Sequence, residues 1–283
     1  MNHLPPSVRL VEISPGYPVF EITHATCTAR VALHGAHVMS WKPVDEEEVF
    51  YLSPDAVLTE GKAIRGGVPI CWPWFNAHPS DASLPSHGIA RSRFWELKAA
   101  EEDAGGVTLS FTLREGNWHA EATMRLGQVF ELSLESFNHG AEPLKIAGAL
   151  HSYFKVGQIS EIEIEGLDGA GYLNTVGGRK REQQEGNIRF DSEVDFIYDS
   201  QGSARILDRS ANRVVQIEKQ GSPSTVVWNP WEEKAKALAD LPDDGYLDFV
   251  CVETAIANSK AIELAPGERH QLAMKVSVAK AAF

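Results

Sequence analysis

Cysteine is scarce in this 283-residue chain, which has three: Cys27, Cys71 and Cys251. They are odd in number, far apart and without a C-x-x-C spacing, so neither a disulfide framework nor a zinc site has support. Each lies in an apolar stretch and reads as a reduced structural thiol. No run reaches the roughly 18 apolar residues of a membrane span. The segment Met1 to Ser7 holds His3, Pro5 and Pro6 but no apolar signal-peptide core. An excess of positive charge is also missing. Lys and Arg number 26 against 39 Asp and Glu, a net charge of −13, with a pI near 5.2. Such a chain repels nucleic acid and anionic membranes in bulk. The expectation is a cytoplasmic protein whose partner is a small molecule. Nothing suggests a dedicated interface helix, so a monomer is expected. An acidic chain can still hold an anion in a local basic pocket.

Hydrophobic residues make up 43% of the sequence and charged residues 23%, the latter close to the ordinary globular value of about 25%. That composition and length suffice for one large core. The dominant pattern has period two. Thr26–Leu33, Val107–Leu113, Glu121–Leu126 and Gln128–Ser136 alternate, with Gly127 as a bulge or bend. Further strands are expected at Ile159–Ile164, Arg205–Leu207, Arg213–Glu218, Ser224–Trp228, Tyr246–Glu253 and His270–Val278. Residues 1–18 read as a short leader into the first strand. Turn signals at Gly105-Gly106, Asn138-His139-Gly140, Asp168-Gly169 and Ala265-Pro266-Gly267-Glu268 separate these runs. Many short strands at this spacing predict an all-β antiparallel sandwich, one domain over 1–283. One short helix is expected near 230–238, with Asn229 as N-cap, Pro230 in the first helical position and Glu232 in a capping box.

Two distant segments each place an ionisable residue among strand-like apolar ones: Ala149-Leu150-His151-Ser152-Tyr153-Phe154 and Phe249-Val250-Cys251-Val252-Glu253-Thr254. Histidine is the commonest general acid/base. A glutamate among Leu247, Val250 and Val252 is odder, because carboxylates are almost never fully buried unless paired. It must face a cavity, a cation or a functional partner. Arg65-Gly66-Gly67 and His87-Gly88-Ile89-Ala90-Arg91-Ser92-Arg93 put guanidinium groups beside glycines, where the backbone can approach closely and phosphate can be held bidentately. Together these residues point to proton transfer on a small phosphorylated substrate. Asp195, at the start of a strand, reads as a turn or capping residue or as a hydroxyl binder. Trp228 and Trp231 read as core or as a face for a sugar ring. His34 and His37 flank Gly35-Ala36 with a spacing that could suggest a metal pair, but no acidic third ligand lies nearby. A strand-connecting turn is the better reading, and no metal is expected.

Taken in order, His34-Gly-Ala-His-Val-Met-Ser-Trp41, Ile64-Arg-Gly-Gly-Val-Pro69, His87-Gly-Ile-Ala-Arg91, His151-Ser-Tyr-Phe154, Val194-Asp195 with Ile197-Tyr198, Trp228-Asn-Pro-Trp231 and Phe249-Val-Cys-Val-Glu253 resemble the aldose 1-epimerase (galactose mutarotase-like) superfamily. The match is closest to its hexose-6-phosphate branch. The resemblance implies a β-supersandwich with the site on a concave face. It implies His151 and Glu253 as the catalytic acid and base, and Arg65, His87, Arg91 and Asp195 lining a sugar-phosphate site, with Arg93 in reserve. It implies anomer exchange without a cofactor, with Glu253 taking the anomeric proton and a protonated His151 serving the ring oxygen. Two positions depart from the family pattern: Phe196, where relatives often carry arginine, and Thr254, where a proline is expected. The alternatives are an epimerase of unphosphorylated aldoses, a non-catalytic carbohydrate-binding module, and a glycosidase. The last needs two carboxylates across the scissile bond rather than a histidine and a glutamate.

Overall fold

The computed structural model describes residues 4–281 and Phe283; His3 lies outside the described residues. Alternation becomes strand almost throughout. The long hairpin strands Gly106–Glu115, Trp118–Gly127 and Phe130–Phe137 bury every second residue, as their period requires. They sit in an eight-stranded sheet ordered Ile162–Glu165, Ala204–Asp208, Arg213–Gln220, Arg269–Lys280, Phe130–Phe137, Trp118–Gly127, Gly106–Glu115 and Glu96–Asp103. A second eight-stranded sheet runs Lys180–Gln183, Gly171–Asn174, Val194–Asp199, Ser224–Asn229, Phe249–Ile256, Gly148–Leu150 and Ile70–Cys71, with Tyr153–Lys155 also paired to Phe249–Ile256. A four-stranded sheet of Val8–Ser14, Tyr17–His24, Cys27–Ala32 and His37–Pro43 and the small pair Leu144–Ile146/Ile262–Leu264 complete the set. Every pairing between these strands is antiparallel.

The main core lies between the sheets. At its centre Phe130 meets Trp41 at 5.5 Å and Phe50 at 5.3 Å between ring centroids. Phe130 is buried, and the Trp41 indole nitrogen donates to the Gly127 carbonyl at 2.9 Å, so the ring's polar handle is satisfied inside the core. All three cysteines are buried and unbonded to each other.

Several sequence expectations need correction. Residues 8–14 are not a leader but an edge strand paired with Tyr17–His24; only Val8 of that strand is buried, so it carries no period-two signal. Gly127 is no bulge. It ends a strand before a tight hairpin turn to Phe130. Ile159–Glu161 and Gly245–Asp248 are short 3₁₀ turns leading into strands. The helix spans Trp231–Lys236, shorter than expected. Asn229 does accept the Trp231 N–H at 2.9 Å, but the capping box does not form, because Glu232 turns outward to Lys236 at 2.8 Å.

Replacing Phe130 with alanine removes the ring shared by Trp41 and Phe50. Stability should fall by about 3–5 kcal/mol. Urea denaturation with an unchanged slope and a lowered midpoint checks this; a midpoint shift worth under about 1 kcal/mol would show that the core can close over the gap.

Candidate active site

The strand Phe249–Ile256 is buried along its whole length, and its two faces have different neighbours. Val250, Val252 and Ile256 point into the main core. Phe249, Cys251, Glu253 and Ala255 point the other way. Cross-strand register brings further side chains onto that outer face. Glu253 is opposite Val226, and Cys251 is opposite both Trp228 and Tyr153. Trp228 is in turn opposite Asp195. His151 sits between the strands Gly148–Leu150 and Tyr153–Lys155, its backbone N–H bonded to the Pro69 carbonyl at 3.0 Å. Its Nε2 lies 3.3 Å from Glu253 Oε1, with 11% of the histidine side chain and 1% of the glutamate exposed. The imidazole lies flat against Tyr153, 5.0 Å between centroids and 15° between planes. Glu253 Oε2 and His151 Nδ1 are buried without a hydrogen-bond partner among the described residues.

Glycine geometry brings the arginines to this face. Gly66 and Gly67 have φ of +105° and +61°. A Cβ on Gly67 would fall 2.2 Å from the Val38 carbonyl oxygen, so no side chain fits there. Buried His37 donates from Nε2 to the Gly66 carbonyl at 2.9 Å and pins the loop. Arg65 then reaches Asp240 Oδ1 at 3.1 Å and the Tyr153 hydroxyl at 2.9 Å, so it is held against the ring stacked on His151. On the other side Gly88 (φ +76°) lies against Trp72, whose carbonyl accepts from Ile89 and Ala90. That places His87 5.9 Å from His151 between ring centroids, and Arg91 donates to the Ser86 carbonyl at 2.9 Å. Asp195 lies 3.8 Å from Lys234 Nζ on the helix. His151, Glu253, His87, Arg65, Arg91 and Asp195 therefore converge on one face. Arg93 does not join them: it is spent on Glu115, at 2.7 and 3.0 Å.

Burial controls the charge state of the pair. It pushes the His151 pKa well below the usual imidazole range, and His87, Arg91 and Arg65 push the same way. Burial also raises Glu253 well above the usual carboxylate range. Asp195 adds to that, against the pull of Arg91. Both partners are driven toward their neutral forms, with the shared proton on the carboxyl. The sequence expectation of a protonated His151 beside an ionised Glu253 is therefore not what the free site favours, because desolvation outweighs their mutual attraction. His87 is depressed to about 3 by burial and by Arg91 and Arg65. Burial raises Asp195, and Lys234 and Thr175 oppose the rise.

The sequence profile of the aldose 1-epimerase family matches residues 18–277. The chain belongs to the aldose 1-epimerase family. A protein of Escherichia coli K12 provisionally named glucose-6-phosphate 1-epimerase is 38% identical over 270 residues, 92% of this chain and 90% of that one. Its counterpart from Salmonella typhimurium LT2, provisionally given the same name, is 39% identical over 272 residues with the same coverage. Among solved structures, a protein from Salmonella typhimurium described provisionally as a mutarotase superposes with a TM-score of 0.92 at 35% identity, covering 99% of this chain and 96% of that one.

The two departures from the family pattern sit away from the outer face. Phe196 turns to the other side of the sheet, 4.7 Å from the Tyr172 ring. Thr254, fully buried, also lies on that side, one residue out of phase with Glu253. Neither reaches the His151–Glu253 contact. Tyr153 was a residue the motif reading passed over; its i+2 spacing from His151 was the available signal. Asp240 carried no signal, lying in a turn far from Arg65 in the chain. His34 and His37 are fully buried; His34 lies in the connection after Cys27–Ala32 and His37 opens the strand His37–Pro43, so the pair brackets a strand-connecting turn.

His37, like His87, is pushed down to about 3, chiefly by burial. A histidine depressed in the folded state binds fewer protons folded than unfolded. Stability is therefore greatest above about pH 6.5, falls as pH drops and levels off near 3. His37→Gln keeps a donor for Gly66 but removes one such titration. Urea midpoints taken between pH 7 and 4 should fall less steeply in the variant; parallel curves would contradict a buried neutral His37.

Proposed function

We propose that this protein interconverts the α and β anomers of hexose 6-phosphates, glucose 6-phosphate first among them, by acid/base opening and reclosure of the pyranose ring. The observation that carries this reading is the 3.3 Å contact between His151 Nε2 and Glu253 Oε1, made on a face that also gathers two guanidinium groups. The provisional names of the bacterial relatives support the substrate.

Ring opening breaks the C1–O5 bond, forms C1=O1, takes one proton from O1 and delivers one to O5. Rotation about C1–C2 and closure run the same transfers backwards. No hydride, phosphoryl group or electron changes hands, so the balance needs no cofactor. A pair holding one proton suffices for both transfers. Glu253 as carboxylate takes the O1 proton while His151 as imidazolium gives one to O5, and the pair ends neutral. That end state is the one burial favours in the free site, so the resting pair matches the open-chain intermediate. Its proton must cross to His151 before opening. A phosphate between Arg65 and Arg91 would offset the two cations that oppose a charged His151. Arg65 spends Nε on Asp240 and Nη1 on Tyr153, and Arg91 spends Nη2 on Ser86, which leaves guanidinium donors for an anion. Asp195 and His87 supply polar contacts for ring hydroxyls.

Each positioned acid or base contributes about 10²–10⁴-fold. His151→Ala and Glu253→Gln should lower the rate of glucose 6-phosphate mutarotation, followed by polarimetry, by that much with unchanged circular dichroism. A wild type that binds the sugar phosphate but leaves exchange at its spontaneous rate would make the protein a binding module. Arg91→Ala should cut kcat/KM for glucose 6-phosphate by at least about tenfold more than for free glucose. Equal losses on the two sugars would remove the phosphate role and favour an unphosphorylated aldose.

A further inference from the structure

Beyond the His151–Glu253 face, a cavity of about 410 Å³ opens at the end of the same sheet. Its size lies within the range of about 300–1,000 Å³ typical of small-molecule sites. Trp74, Phe75 and Trp118 supply aromatic lining, and Asn258, Lys145 and Arg179 supply polar groups. No aspartate or glutamate lines it among the described residues. In a chain of net charge −13, a recess with two cations and no carboxylate is set against the general electrostatics of the molecule.

The cavity borders the catalytic candidates. Ala149, Ala255 and Ala257 belong to one buried cluster with the larger Ile197 and Val226, and Phe75 packs against it. Glu253 and Ala255 are on the same face of one strand, and Phe75, which lines the cavity, lies 4.8 Å from the His87 ring between centroids. Arg179 bears on both regions. It sits at a turn after Gly177-Gly178 with φ of +56°, lines the cavity, and bears electrostatically on Asp195. Its Nη2 is 3.4 Å from Asn258 Oδ1.

We propose that this cavity is a second carbohydrate subsite, which takes a phosphorylated sugar alongside the one at His151 and Glu253. Aromatic faces receive the C–H face of a pyranose, and the Asn258 amide matches hydroxyls as both donor and acceptor. Lys145 and Arg179 take the anionic substituent; arginine holds it through a planar fork and lysine as a point charge. Binding here needs no proton transfer, so it stands or falls separately from the epimerase reaction.

Isothermal titration of the whole protein with glucose 6-phosphate tests it. Lys145 is exposed, so Lys145→Glu leaves the core untouched. The variant should weaken one binding event by about tenfold, the scale of a lost charge-assisted hydrogen bond. Lys42→Glu, an exposed change paired with Glu47 in another sheet, should weaken none and controls for overall charge. The event that Lys145→Glu leaves intact belongs to the Arg65 and Arg91 face, and its absence would count against the proposed reaction rather than against the cavity. If Lys145→Glu weakens no event, or weakens one no more than Lys42→Glu does, the subsite is disproved. Preferential occupation of the Lys145-dependent site by AMP would overturn the sugar class.

Discussion

A carboxyl group shut away from water and set 3.3 Å from an imidazole is the constraint around which this face is organised. An isolated buried carboxylate would be strongly disfavoured, and an isolated buried imidazolium likewise. Placed together they can share one proton and stay neutral as a pair. In the proposed reaction that arrangement becomes chemically useful when an anionic substrate changes the surrounding charge. Arg65, Arg91 and His87 oppose charge on His151, and Asp195 opposes charge on Glu253. Glu253 Oε2 and His151 Nδ1 are buried without a hydrogen-bond partner among the described residues.

The sheet makes this pairing precise without relying on long loops. Glu253 rides on a strand whose other face is main core, so its backbone is fixed by Val250, Val252 and Ile256. His151 comes from a break between two short strands that both pair with that same strand. The arginines arrive on turns whose left-handed glycines let the backbone pass within contact distance of Tyr51, Val38 and Trp72. Such turns cannot accept a side chain at those positions, so the loops have little freedom to swing away. Rigidity of this kind suits proton transfer, where distances must be right before the reaction starts.

Much of this was legible in the chain. Period-two alternation marked most of the long strands, because one face of each meets the core. Glu253 stood out because a carboxylate among Val250 and Val252 contradicts its surroundings, and such contradictions gather at functional sites. His151 gained meaning only as its partner. The edge strand Val8–Ser14 stayed hidden because it buries almost nothing, and the helix was overextended because Ala237 and Leu238 suit a helix but lie beyond its end, Ala237 in a turn. Asp240 could not be linked to Arg65, since nothing local signals a contact between turns 175 positions apart. The direction of the pKa shifts was equally out of reach. It depends on how completely the sheet closes over the pair, and an opposing carboxylate alone suggested the reverse.

Whether the two side chains act as one unit is best measured by magnetisation exchange between the anomers of [1-¹³C]glucose 6-phosphate, comparing His151→Ala, Glu253→Gln and the double variant. Groups that share a single proton give strongly non-additive losses, so the double variant should be scarcely slower than the worse single one. Losses that multiply, with each side chain contributing independently of the other, would contradict a shared-proton pair.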